Sequence, residues 1–352
     1  MGKCLITKLN GSVSNDKLLK LGEMRFYFKK EDKYSNVLNH GISLTFAENT
    51  TISVVGGNFV DKTDNSNLGT TLSFEADVNK NIFVSNENCY ISVNKYLLLN
   101  ISAVDGEDKT VCYFSIDDLK YSSKINNIYS LSSQVTGDIA NLKNLTALTK
   151  INLYGSQVTG DIANLKDLTA LTKINLYGTQ VTGYIANLKD LTALTNINLS
   201  GSQVTGDIAN LKDLTALANI DLSGSQVTGD IAAFTNMSEL KELRLNVPTS
   251  LVLGELSSLP TKLLFYSANR ANKFTWNNTR SISYSIVALE NVVLGESVDK
   301  ALNDLASCTN KNTDSNPSWY KVINIIGTRT SASDTAVQAL QSKGYTVSIT
   351  TA

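Results

Sequence analysis

Residues 148–170 read LTKINLYGSQVTGDIANLKDLTA, and nearly the same 23 residues follow twice more, from Leu171 and from Leu194. The three copies differ at only four positions. Three less complete copies flank them, beginning at Ile125, Leu217 and Leu240. A fixed period of this length is typical of proteins in which one structural unit stacks on the next.

One unit shows why the copies must stack. Leu148, Ile151 and Leu153 follow the spacing L-x-x-L-x-L, which predicts a short strand that turns these side chains to one side. The apolar residues that bring the coil back around the same core are Val158, Ile162, Leu165 and Leu168. A single coil has no second surface to cover them, so we expect neighbouring coils to do so, with parallel strands ~4.8 Å apart.

The segment after the strand predicts a turn and a short helix. Gly160 recurs in each copy, and we expect a turn there with a positive φ or a close backbone approach. Asp161 follows it and is a candidate N-cap for a 3₁₀ or short helical turn on the convex side.

The pattern L-T-x-L-x-x-I-x-L-x-x-x-x-V-T-G-D-I resembles the bacterial leucine-rich repeats of the internalin type, and its VTGDI glycine is similar to the longer repeat of plant receptors. The resemblance implies a solenoid with a parallel sheet on its concave side. One departure concerns the asparagine that forms an internal ladder in the family. Hydroxyl residues stand there, each with a single donor, and we expect a weaker ladder. They are Ser156, Thr179, Ser202 and Ser225.

The chain outside the repeats predicts two end domains, so the fold class is β-rich and multi-domain. Residues 1–120 contain alternating segments such as Ile42–Phe46 and Tyr90–Val93, which favour an all-β, sandwich-like domain of about seven or eight strands. The solenoid is assigned to 121–262. Residues 263–352 predict irregular repeats and an α/β cap, with a helix over Asp334–Ser342 that Ser331 or Ser333 begins.

Both ends also resemble a known context. The segments KCLITKLNGSVSNDKLLKLGEMRF (3–26) and TRTSASDTAVQALQSKGYTVSI (328–349) are similar to the ends of leucine-rich-repeat proteins of gut Bacteroidales and their phages. This resemblance implies an association with a phage tail, hence a virion or extracellular-facing location.

Composition excludes several classes of partner. The net charge is -1 with 18% charged residues, which gives no basic surface for nucleic acid, and no apolar stretch approaches a membrane span. The first residues lack an apolar run of signal-peptide length, so we expect no export signal. The four cysteines are scattered, which favours unpaired thiols and leaves a Cys89–Cys112 disulfide as the alternative.

The residues give no sign of catalysis, and we expect neither an enzyme nor a cofactor. The chain has one histidine, His40, in a segment without a catalytic motif. The acidic column at Asp138, Asp161, Asp207 and Asp230 favours a solvated convex face over a calcium strip, because Tyr184 interrupts it.

The exposed positions of the repeat strands are the candidate binding site, since they face outward on the predicted concave sheet. Tyrosine rings combine apolar area with a polar tip, which suits a protein loop or a glycan. The candidates are Lys150, Asn152, Tyr154, Lys173, Asn175, Tyr177, Asn196, Asn198, Asn219, Asp221 and Arg244.

Three functions remain open at this point. The first is a recognition or adhesion module that binds a surface protein or glycan, in a phage tail or as a secreted or cell-surface adhesin. The second is a structural arm, in which the N-terminal domain docks to a larger assembly and the repeats act as a rigid spacer. An enzyme is the third and least favoured.

Overall fold

The structure is a computed structural model of the 352-residue chain. It describes residues 23–28, 40–55, 58–61, 63–64, 66–78, 80–84, 89–94, 98–103, 112–130, 135–247, 252–260, 263, 265–268, 274–277, 288–307 and 322–351. No helix in these ranges is both long and apolar enough to cross a membrane.

The N-terminal part contributes mainly antiparallel strands. In the described residues they are β1 (Glu23–Phe28), β2 (His40–Phe46), β3 (Thr50–Val55), β4 (Phe59–Val60), β5 (Asn67–Gly69), β6 (Thr71–Phe74), β7 (Lys80–Val84), β8 (Cys89–Asn94), β9 (Leu98–Ala103) and β10 (Cys112–Ser115).

Each repeat contributes two strands and a 3₁₀ turn. The strands are β11 (Asn127–Ser130), β12 (Val135–Asp138), β13 (Lys150–Leu153), β14 (Gln157–Asp161), β15 (Lys173–Asn175), β16 (Gln180–Tyr184), β17 (Asn196–Asn198), β18 (Gln203–Asp207), β19 (Asn219–Asp221), β20 (Gln226–Asp230), β21 (Glu242–Leu245) and β22 (Val252–Glu255). The 3₁₀ turns are Ile116–Leu119, Ile139–Leu142, Ile162–Leu165, Ile185–Leu188, Ile208–Leu211, Ile231–Phe234 and Leu256–Ser258.

The C-terminal part adds longer strands and two α-helices. These elements are β23 (Phe265–Ala268), β24 (Phe274–Thr275), β25 (Ala288–Gly295), α1 (Val298–Ser307), β26 (Val322–Gly327), the 3₁₀ turn Ser331–Ser333, α2 (Asp334–Ser342) and β27 (Thr346–Thr350).

The described strands form two sheets that run along the whole array. One has 15 strands in the order β27-β26-β25-β23-β21-β19-β17-β15-β13-β11-β9-β2-β7-β4-β5. The other has 12, in the order β24-β22-β20-β18-β16-β14-β12-β10-β1-β8-β3-β6. Pairing is parallel from β9 and β10 towards the C-terminus and antiparallel beyond them. Both sheets therefore continue across residue 120 and across residue 262.

Register locks the coils together one repeat apart. Ile151 lies opposite Ile174, which lies opposite Ile197, which lies opposite Ile220. The seven apolar side chains of the first complete coil are fully buried, and they join one continuous core with those of the other coils. The predicted stacking of leucine columns is confirmed, because each coil covers the apolar surface of its neighbour.

The second sheet is a correction to the repeat predicted from the sequence. A 3₁₀ turn does follow Asp161, as predicted, but the preceding QVTGD is a strand rather than part of a turn. In that strand Val158 is buried between exposed Gln157 and Thr159, so its alternation was readable in the sequence. The chain turns earlier, at Gly155, where φ is +64°.

Gly160 and its counterparts interlock with the capping aspartates of the preceding coil. Gly160 has φ +108°, and a Cβ there would lie 2.1 Å from Oδ1 of Asp138. That same Oδ1 accepts a hydrogen bond from the backbone N–H of Ala140 at 2.7 Å and caps the 3₁₀ turn. The positive φ, the close approach and the predicted N-cap role of Asp161 are all confirmed. A side chain at the glycine would therefore displace the cap.

Tyr184 breaks this rule and provides a matched comparison. It makes no side-chain cap bond, and a Cβ at Gly206 in the next coil would meet nothing closer than 3.5 Å. Gly183, by contrast, would place its Cβ 2.1 Å from Oδ1 of Asp161. The two glycines share a positive φ, at +111° and +104°, so they differ mainly in the room beside them.

We predict that Gly183→Ala destabilises the chain more than Gly206→Ala. Both variants strain a positive φ, but only the first also displaces a capping carboxylate, which costs about 1 kcal/mol more. Urea unfolding followed by circular dichroism measures the difference. Equal destabilisation by the two variants would contradict the interlock.

The Cys89–Cys112 disulfide considered above is ruled out by the strand order. Cys89 on β8 and Cys112 on β10 both lie opposite Phe28, on the two sides of β1. Two strand spacings separate their backbones by about 9.6 Å, whereas a disulfide needs Cα atoms within about 7 Å. Cys4 and Cys308 lie outside the described residues.

The C-terminal helix lies where the sequence predicts it, since α2 spans Asp334–Ser342. The hydroxyl cap predicted for this helix, from Ser331 or Ser333, is not formed. Ser333 occupies the N-cap position without a capping bond, because its hydroxyl donates to Asp299, and Thr330 caps the 3₁₀ turn before it. Helix α1 was not predicted. Asp299 in its first turn also accepts bonds from the Thr330 N–H and hydroxyl, which joins the starts of the two helices.

Glu255 ties the last coil of the 12-stranded sheet to β24. Its carboxylate accepts bonds from the hydroxyls of Ser257 and Thr275 and from the backbone N–H of Asn277 at 2.9 Å. Partial burial raises the pKa of Glu255, but the hydrogen bonds from Ser257, Thr275 and Asn277 outweigh it and hold the pKa below its usual 4.5. The ionised form is thus favoured in the folded state.

The lowered pKa predicts how stability depends on pH. A carboxyl with a depressed folded-state pKa stabilises above its unfolded value, and this contribution is lost as pH falls below about 4.5 through the folded pKa. We expect Glu255→Gln to be less stable than the parent at pH 7 and the gap to narrow on acidification. Thermal unfolding across that range is the measurement, with Glu75→Gln at an exposed position as control. A gap independent of pH would contradict the assignment.

Candidate functional site

The candidate site is the outward surface of β13, β15, β17, β19 and β21, which we call the repeat face. In each strand the central apolar side chain is buried, so the residues on either side of it point outward. The structure therefore brings the predicted site residues into three columns on one surface, although Asn152 is only 6% exposed. They are the first column of Lys150, Lys173, Asn196 and Asn219, the second of Asn152, Asn175, Asn198, Asp221 and Arg244, and the third of Tyr154 and Tyr177.

The two tyrosines of the third column form a stack. Their ring centroids are 4.5 Å apart and their planes differ by 8°. Tyr154 is 42% exposed and Tyr177 38%, so a large part of each ring meets solvent. Identical residues one strand spacing apart produce this geometry directly, since the register places one coil over the next.

The third column changes in size after Tyr177. Ser200 and Ser223 take the place of the tyrosine in the next two coils, and Gly201 and Gly224 follow them. Tyr154 covers one face of the Tyr177 ring, so the opposite face is directed towards Ser200, which is only 7% exposed. The repeat face thus contains a step, with the Tyr177 ring as its wall and Ser200 as its floor.

The side-chain oxygens of the second column accept hydrogen bonds from the main chain. Oδ1 of Asn175 accepts from the backbone N–H of Tyr177 at 3.2 Å, and Oδ1 of Asn198 accepts from that of Ser200 at 3.0 Å. Asp221 makes the same bond to Ser223 at 3.0 Å. The side-chain oxygens of these three residues therefore accept main-chain hydrogen bonds at the strand ends, and Asn175 and Asn198 keep their amide nitrogens as donors.

The repeat face carries charged side chains at both ends of the array. Lys150 is exposed and Lys173 is half-buried at the N-terminal side, whereas Arg244 at the other side forms an ion pair with Glu242 at 3.3 Å. Asn196 accepts a hydrogen bond from the hydroxyl of Thr195 at 2.8 Å.

Sequence reasoning missed a third aromatic residue on this face. Tyr129 of β11 is half-buried and lies opposite Asn152, diagonal to Tyr154. Its coil departs from the repeat pattern, which hid its outward position. A threonine ladder was also missed. The hydroxyls of Thr149 and Thr172 donate to a main-chain carbonyl of the preceding coil at 2.9 and 3.0 Å, and that of Thr195 lies between the Thr172 carbonyl at 3.1 Å and Oδ1 of Asn196.

The hydroxyl column inside the coils does not form a ladder between coils. Thr179, Ser202 and Ser225 each donate to the carbonyl three residues earlier in their own coil, at 2.6–2.7 Å. Ser156 is 3% exposed, and its hydroxyl has no partner. We expected a weaker ladder between coils, and the hydroxyls that donate bond within their own coils instead.

The residues considered above for metal binding or catalysis have structural positions in the fold. The aspartates of the interrupted column use Oδ1 to cap 3₁₀ turns, and the described ranges contain no group of three or more histidine, cysteine, aspartate or glutamate side chains arranged for a metal. His40 begins β2.

The parallel sheets and short 3₁₀ turns fit a leucine-rich-repeat solenoid. No family model and no curated protein matches the chain. Solved structures of similar fold include the LRR ectodomain of the receptor kinase GASSHO1/SCHENGEN3 from Arabidopsis thaliana, with 22% identity, coverage of 54% of this chain and 27% of that one, and a TM-score of 0.39. A plant peptide hormone receptor, RGFR1, has 17% identity, coverage of 67% and 46%, and a TM-score of 0.46.

A leucine-rich-repeat protein of Leptospira interrogans is also similar, with 14% identity, coverage of 54% of this chain and 55% of that one, and a TM-score of 0.37.

 The chain spans less than half the length of the two plant receptor chains.

The second column yields a stability prediction. We expect Asn198→Ala to lose about 1 kcal/mol, because the backbone N–H of Ser200 loses its acceptor. Asn198→Asp keeps the acceptor, as Asp221 does one coil later, and should stay within about 0.5 kcal/mol of the parent. Urea unfolding measures both. Equal losses in the two variants would show that the amide nitrogen, rather than the oxygen, stabilises the coil.

Proposed function

We propose that this chain is a non-catalytic recognition module that binds a protein segment through the repeat face. The step at Tyr177 and Ser200 carries the proposal. It is an exposed aromatic wall beside a floor of small residues, and its dimensions are set by the spacing of one coil.

A ring of the ligand fits this step as a third member of the tyrosine stack. The rings of Tyr154 and Tyr177 already stack at 4.5 Å, and the next position in the column is occupied only by Ser200. A ring placed above Ser200 would bury the remaining face of Tyr177. Aromatic pairs of this kind contribute roughly 0.5–1.5 kcal/mol beyond the area that they bury.

The neighbouring columns suit a main chain that carries such a ring. The side-chain oxygens of Asn175 and Asn198 accept hydrogen bonds from their own coils, which leaves their amide nitrogens as donors. Donors beside an aromatic step match the carbonyls of an extended peptide. This arrangement favours a protein ligand over a glycan, whose hydroxyls also call for acceptors.

The biological setting of this binding is still a hypothesis drawn from the sequence. Adhesion to a cell surface, a place in a phage tail and docking through the N-terminal part rest on the resemblance of the two ends. The proposal includes a shielding role for the antiparallel strands β1–β10, arranged as a sandwich-like end domain, because they close the N-terminal end of both sheets. The α/β unit would serve the same purpose at the other end.

The test uses a ribosome-displayed library of random peptides selected on the full chain. We expect the bound peptides to be enriched in Tyr, Phe or Trp. Ser200→Tyr fills the step with the chain's own ring and should weaken binding of a selected peptide about tenfold, equivalent to roughly 1.4 kcal/mol.

Ser223→Tyr is the matched control. It adds the same ring one coil further on, about 9.6 Å from Tyr177, and leaves the position above Ser200 open. We expect binding to be kept or tightened, with unchanged circular dichroism in both variants. Equal binding by the Ser200→Tyr variant would overturn the step as the site. Selection of glycans from an array, without any peptide, would overturn the protein ligand, and no binding at all would favour the spacer.

A further inference from the structure

The last strand of the 15-stranded sheet leaves one edge open. Among the described strands β27 (Thr346–Thr350) pairs only with β26, in parallel. In the part of the chain that the structure describes, no strand pairs with its other edge, whose main-chain N–H and C=O groups lack a strand partner there. Proteins usually protect such an edge with lysine, proline, a bulge or a covering loop.

The described residues show none of these protections on β27. The segment from Tyr345 to Thr351 contains no charged residue and no proline, and the pairing of β27 with β26 shows no bulge. Threonine, valine and isoleucine favour extended structure. The edge is thus suited to accept a further strand, and an uncharged strand fits it best because no charge would lose its water.

The sequence of β27 is complementary to itself. It reads TVSIT, which is nearly the same in both directions. When two copies pair in antiparallel fashion around Ser348, Thr346 faces Thr350 of the second copy, Val347 faces Ile349, and Ser348 faces Ser348. Threonine pairs and pairs of β-branched side chains stabilise antiparallel sheets by roughly 0.2–1 kcal/mol each.

The two faces of the strand also match. Thr346, Ser348 and Thr350 are exposed, whereas Val347 and Ile349 are partly buried against the core. An antiparallel pair related by a two-fold axis keeps equivalent faces on the same side of the sheet. The apolar side chains of each copy would therefore extend the core of the other, and the threonines would meet in water.

We infer that β27 is an interaction edge for a second copy of this chain. The two 15-stranded sheets would join through roughly four to six main-chain hydrogen bonds into one continuous sheet. This inference does not depend on the proposed function. In such a dimer the two repeat faces lie on the same side, so a ligand with two binding segments would be held at both.

The test begins with the parent chain in solution. Sedimentation equilibrium over a concentration series should show a dimer that dissociates on dilution. Ser348→Lys places two positive charges opposite each other at the two-fold axis and should raise the dissociation constant at least tenfold. Thr182→Lys, at an exposed position in β16, adds the same charge away from the edge and should leave it unchanged.

Cysteine cross-linking tests the register. Oxidation should link two copies of Ser348→Cys, because the paired positions are about 5 Å apart. Thr346→Cys is the matched control, since its two copies lie about 14 Å apart along the strands and cannot link. Cross-linking above that of the parent chain at 348 but not at 346 supports the pairing. A monomer at every concentration, or a dimer unaffected by Ser348→Lys, would overturn it.

Discussion

The cover that each coil gives to its neighbours holds this molecule together. Leu148, Ile151, Leu153 and the other apolar residues of a coil lie on one side of a thin layer, and only the coils before and after bury them fully. Stacking in register follows, because any other offset would bring polar residues into the apolar columns. Main-chain bonds and the threonine ladder fix the same spacing. The repeat face inherits that spacing, and the tyrosine stack is one result.

A second constraint couples each coil to the next through one carboxylate and one glycine. The aspartate that caps a 3₁₀ turn occupies the space where a side chain of the following glycine would lie. Tyr184 shows that the two positions belong together. Where the aspartate is absent, the space beside Gly206 opens. The cap thus supports its own turn and also restricts the sequence of the coil that covers it.

The two ends of the array are closed in different ways. At the N-terminal end the sheets change from parallel to antiparallel pairing at β9 and β10, so strands of other lengths can close the layer. At the C-terminal end the 15-stranded sheet stays parallel through β27, and α1 and α2 replace the 3₁₀ turns as cover. The helices cover the last strands, and among the described strands none pairs with the outer edge of β27. That difference makes the C-terminal end the place where a second copy can join.

The sequence alone determined the repeat, its period, the buried columns and the outward position of the site residues, because each follows from local periodicity. It also indicated the capping aspartates and the C-terminal helix. Only the tertiary structure decided that QVTGD forms a second sheet, that Tyr154 and Tyr177 stack beside the small floor of Ser200, and that the Asn198 oxygen serves its own coil. Cys89 and Cys112 were separated by strand order, which spacing in the sequence does not encode. These features depend on which coil or strand lies beside which, and long-range pairing sets that.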